Sequence, residues 1–100
     1  MKKIKNKKQL LNKLRDWLGY DGISFFVMCL DEYNDIAPVW DVKFEGYSGR
    51  ITHIPHAVHW NEGMAVRNFL RTSRLCTGWN SHDYDNNWTT LVKEAITPCL

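Results

Sequence analysis

The sequence predicts an α+β domain, a small three-stranded antiparallel sheet carrying an N-terminal helix and two C-terminal helices in the order α-β-β-β-α-α. Three observations predict it. Apolar residues recur at helical spacing near the start and twice in the second half. The middle holds one unbroken apolar run and one strictly alternating run, and Gly, Pro, Asn and Asp separate the segments. One hundred residues suit a single domain over 1–100, and a hydrophobic share of 44% against 24% charged residues is enough to bury a core.

The first helix is read from QLLNKLRDWLGY, where Leu10, Leu11, Leu14, Trp17 and Leu18 keep the 3.6-residue period and Gly19 follows as a C-terminal cap. ISFFVMCL, residues 23–30, has no charge and is rich in β-branched and aromatic types, which predicts a strand covered on both faces. DEYNDIAP reads as a loop. PVWDVKFE then alternates, with Trp40, Val42 and Phe44 on one face and Asp41, Lys43 and Glu45 on the other; Gly46 to Gly49 supply a turn, and RITHI returns as the third strand, giving a β-hairpin over 38–54.

Two helices follow. WNEGMAVRNFLR gathers Ala65, Val66, Phe69 and Leu70 on one side and begins a spacing of Arg67, Arg71 and Arg74 on another. DYDNNWTTLVKEAI places Trp88, Leu91, Val92 and Ala95 at the helical period, with Asp83 or Asp85 as its cap and Pro98 as its stop.

The formal net charge of +2 conceals an asymmetry. Seven of the thirteen cations lie within residues 1–15, which hold no acid, so the remainder is near −5. Residues 1–8 are expected to form a flexible basic arm that meets an anionic partner or lies against its own body. No run is long and apolar enough to cross a membrane, and no secretory leader follows the basic start, so a cytoplasmic location without membrane partners is expected. Cys29, Cys76 and Cys99 are odd in number and widely spaced, which predicts reduced thiols.

His53, His56 and His59 stand three apart, but Pro55 prevents a regular helix through them and a strand would send neighbours three apart to opposite faces. No metal site and no cofactor is therefore expected. Neither glycine-rich nucleotide motif is present. Cys76 or Ser81 beside His82 lacks any recognised nucleophile context, so no catalytic residue is assigned, although His59, Asn68, Asp83 and Asp85 could line a pocket. A small hydrolase or metal protein built on His59 and the acids is a lesser alternative.

The chief binding signal is the arginine stripe. Arg67, Arg71 and Arg74, with Trp60 and Met64 near the same side of an ideal helix, suit a protein partner or a phosphate backbone. A structural reading competes with both, in which Arg67 pairs with Asp83 or Asp85 and ties helix to helix. The run His59 to Asn68, followed by Gly78-Trp79, His82-Asp83 and Asp85 to Trp88, resembles small uncharacterised bacterial and phage proteins with a His-x-x-x-Gly-x-x-Val/Ile-Arg-Asn core. That resemblance nominates His59, Gly63, Arg67, Asn68 and Asp85 as shared positions and implies no activity. The expectation is a non-enzymatic module acting by protein–protein contact, as an inhibitor or accessory factor of a phage or mobile element, with nucleic-acid binding through the lysines and the arginine stripe as the alternative.

Overall fold

A computed structural model describes residues 2–36 and 62–100, together with the backbone of 44–45 and 50–51. Along the chain lie β1 (Lys3–Ile4), α1 (Lys7–Tyr33), β2 (Phe44–Glu45), β3 (Arg50–Ile51), α2 (Glu62–Ser73), β4 (Cys76–Thr77), α3 (Ser81–Ile96) and a final 3-10 turn, Thr97–Cys99.

The three-stranded sheet is not formed. Among the described residues there are two separate antiparallel ladders of two residues per strand, β1 with β4 and β2 with β3. Residues 23–30, expected as the first strand, lie within α1. A short apolar run fits a buried strand and a buried helix equally well, because no period separates them. Gly19 is the second source of the error. Its φ of 64° and ψ of −172° lie outside helical space, yet it does not end the helix; it kinks it, and the chain resumes helical geometry until Asn34 closes it in the left-handed conformation. There the Asn34 N–H donates to the Leu30 carbonyl at 2.8 Å. At the other end the Asn6 side chain accepts from the Gln9 N–H at 3.0 Å, a conventional N-cap.

The ladder between β2 and β3, in register Phe44 to Ile51 and Glu45 to Arg50, is the antiparallel pairing expected of the hairpin. The rest of 38–54 lies outside the described residues. Both C-terminal helices form where the periodicity predicts them, although the cap of α3 is Asn80 and not Asp83 or Asp85.

The core is built chiefly from α1 against α3, with α2 completing it. Trp88, Leu91, Val92, Ala95 and Ile96 are all buried, the i, i+3, i+4, i+7, i+8 pattern of one helix face. Leu10 and Leu14 reach them from the first half of α1, Phe26 from the second, and Val66 and Leu70 from α2. Phe26 meets Trp88 edge to face at a centroid separation of 6.2 Å. Truncating Trp88 would cost about 3–5 kcal/mol as transfer and cavity terms combine. Among the described residues no helix is long and apolar enough to cross a membrane.

The basic N-terminal residues meet the body at several points. Lys3 and Ile4 pair with Thr77 and Cys76, the Lys2 ammonium lies 2.9 Å from Asp83, and Lys7 begins α1 and lies 2.8 Å from Glu94. Arg15 donates through Nε to the Ala95 carbonyl at 2.7 Å, a cation at the C-terminal end of α3 where the helix dipole favours one. Three of the seven N-terminal cations thus face the chain's own acids and carbonyls.

Candidate functional site

The α2–α3 seam starts from a glycine. A Cβ on Gly63 would stand 2.6 Å from Cζ2 and 2.9 Å from Cη2 of Trp88, whose indole is buried, so the bare backbone lets the ring lie against α2. One turn on, Arg67 is only 4% exposed; its guanidinium carbon sits 5.8 Å from the Trp88 ring centroid, and Nε lies 3.1 Å from the Asp85 carboxylate. Another turn on, Arg71 lies over Tyr84 at 4.9 Å and donates to the Asn68 side chain at 3.1 Å and weakly to the Ser81 hydroxyl at 3.4 Å. Rising numbers on α2 meet falling numbers on α3, so the two helices run antiparallel.

The i, i+4 spacing of Arg67 and Arg71 therefore describes a seam between helices. Arg74 departs from it, since with φ at 62° it lies past the end of α2 and is exposed. Met64 is 40% exposed, and Asn68 is exposed and orients Arg71. Trp60 and His59 lie outside the described residues, as do His53 and His56. Of the residues nominated for a pocket, Asp85 serves Arg67, whereas Asp83 serves the start of α3: Asn80 accepts from the Asp83 N–H at 3.0 Å, and Asp83 accepts from the Asn80 N–H at 2.9 Å. The hydrogen bond from Lys2 first, and that from the Asn80 backbone second, hold the Asp83 carboxyl below its ordinary value against an opposing effect of burial. Burial lifts the Tyr84 hydroxyl above the ordinary phenol value, with Arg71 pulling the other way.

A different surface stands out on the half of α1 beyond Gly19. Phe26 and Cys29 are buried; away from them the same stretch carries Ile23 and Val27, half-buried at the edge of the core, and Tyr20 and Met28, which are exposed. These residues with Ser24, Asp31, Glu32 and Cys99 line a groove of about 610 Å³. On the opposite flank a second groove of about 470 Å³ runs between α1 and the start of α2, lined by Trp17, Phe25, Ala65 and Val66 with Asp21 and Glu62 among its walls. Trp17 stacks on Phe69 beside it, ring centroids 4.8 Å apart. Sequence reasoning did not nominate this surface. Its signal was present, because ISFFVMCL taken as a helix has no charged side.

Cys29 and Cys76 are buried and Cys99 is exposed, all three as free thiols. Burial raises the thiol pKa of Cys29 and of Cys76; at Cys29 the nearby Glu62 and Glu32 add to the rise. Neither is a poised nucleophile. Among the described residues no group of three or more His, Cys, Asp or Glu side chains could hold a metal ion. Compared with family models, curated proteins and solved structures, the chain matches none.

Proposed function

We propose that the protein is a small non-enzymatic module that works by contact with another protein, and that the contact surface is the outer face of α1 beyond Gly19. One observation carries this reading. Among the described residues that half-helix turns Phe26 and Cys29 inward, yet keeps Tyr20 84% and Met28 42% exposed, with Ile23 and Val27 half-buried between them. Large apolar side chains left exposed beside half-buried ones are a common mark of an interaction site. The arginines suit this role less than the sequence suggested, since Arg67 is spent on Asp85 and Trp88. The same burial takes Arg67 out of any phosphate-facing stripe, and the Lys2 and Lys7 ion pairs partly offset the basic end, which weighs against nucleic acid. A cytoplasmic setting of the bacterial or phage kind belongs to the proposal, supported by the free thiols and by the motif around Gly63 and Arg67.

The test is selection from a random displayed-peptide library on the wild-type protein and, in parallel, on Met28→Asp and Arg71→Ala. Peptides enriched on wild type and on Arg71→Ala but lost on Met28→Asp, with the circular dichroism of all three superimposable, support the α1 face. Enrichment that needs Arg71 and ignores Met28 moves the contact to the α2–α3 seam and overturns the assignment.

A further inference from the structure

We propose that the groove along Tyr20 to Glu32 receives a basic amphipathic helix from the partner protein. The inference rests on the protein-contact reading and specifies its chemistry. Tyr20, Ile23, Ser24, Val27, Met28 and Asp31 recur at three- and four-residue steps, a single stripe on the helix about 16 Å long at 1.5 Å per residue. Such a stripe accepts the apolar face of another helix, ridge against groove, over about three turns.

Charge decides the occupant. Asp31 and Glu32 lie near the C-terminal end of α1, which has no basic residue in its last turn. The helix dipole presents its negative pole there, so two carboxylates at that end oppose the helix they belong to, each at a cost of up to about 1 kcal/mol. Among the described residues no ion pair joins either of them to a lysine or arginine. Local stability does not account for their position; a cationic occupant of the groove does. A second copy of the chain is disfavoured on the same ground. Packed parallel through this stripe, Asp31 of one copy meets Asp31 of the other; packed antiparallel, it meets Tyr20, because Asp21 lines the other groove. Neither packing gives Asp31 and Glu32 a cation, because the lining of the groove holds none.

The experiment uses two fluorescein-labelled 16-residue helical peptides that share a leucine face, one with lysine and one with glutamate at every polar position. Their anisotropy is titrated with the full chain as wild type, as Met28→Asp, and as the double variant Asp31→Lys/Glu32→Lys, each checked for an unchanged circular dichroism spectrum. The lysine peptide should bind wild type at least tenfold more tightly than the glutamate peptide. The double variant should invert that order, and raising salt from 50 to 200 mM should narrow the gap. Equal binding of the two peptides, or a lysine preference that survives the double variant, overturns the proposal. A glutamate preference that Met28→Asp abolishes would leave the α1 face as the contact surface while excluding a basic partner. Binding of both peptides that ignores Met28→Asp would sink the face itself. Sedimentation showing a wild-type dimer dispersed by Met28→Asp would give the groove to a second copy.

Discussion

Arg67 sets the scale of what one side chain does here. Its guanidinium is almost wholly covered, with Asp85 at 3.1 Å and the Trp88 indole beneath it, while the Asp85 side chain itself is about half exposed. Removing the arginine leaves a carboxylate that water can reach, so the loss falls mainly on packing rather than on a stranded charge. Arg67→Ala should destabilise the protein by about 2–3 kcal/mol in urea unfolding. A loss below about 1 kcal/mol would overturn the packing account. The sequence made the four-residue spacing of Arg67 and Arg71 legible, along with the option that Arg67 pairs with an acid on the last helix. It could not show that Arg71 shares the seam, because that depends on Tyr84 and Ser81 meeting α2 across a turn.

α1 illustrates where element-level reading failed. Two rules pointed the same way, glycine as a helix stop and an uncharged β-branched and aromatic run as a strand, and tertiary packing overrode both. Gly19 occupies a region of backbone space open essentially to glycine, and a Cβ there would meet nothing within 4 Å. The cost of a side chain is therefore purely conformational. Gly19→Ala should lose about 1–3 kcal/mol, or else straighten α1 and pull Phe26 away from Trp88, which near-ultraviolet circular dichroism would register. Full stability with an unaltered aromatic signal would mean that the kink is not required. The α2 and α3 elements were readable because each carries an amphipathic period with a single apolar side, and the Asn80–Asp83 box could have been found from the same residues. The α1 groove was not nominated because its surface exists only once residues 23–30 are helical.

At the scale of the molecule, the start of the chain is fastened to the connection between α2 and α3. Lys3 and Ile4 pair with β4, the Lys5 N–H donates to the Leu75 carbonyl at 2.9 Å, and Lys2 meets Asp83. Because the Asp83 carboxyl titrates below its ordinary value of 3.8 in the folded state, its contribution is complete above that pH and is lost as pH falls through the lowered folded value. Thermal melts of wild type should therefore show a steeper fall below about pH 4 than melts of Asp83→Asn, which keeps an oxygen for the Asn80 N–H but loses the charge. Identical acid limbs would remove Asp83 from the fastening. The same topology has an effect on biosynthesis. Phe26 leaves the ribosome roughly sixty residues before Trp88, and at about 5–20 residues per second the oily half of α1 waits several seconds for its mate. Slowing translation between the two should therefore raise aggregation of the nascent chain without altering the finished product.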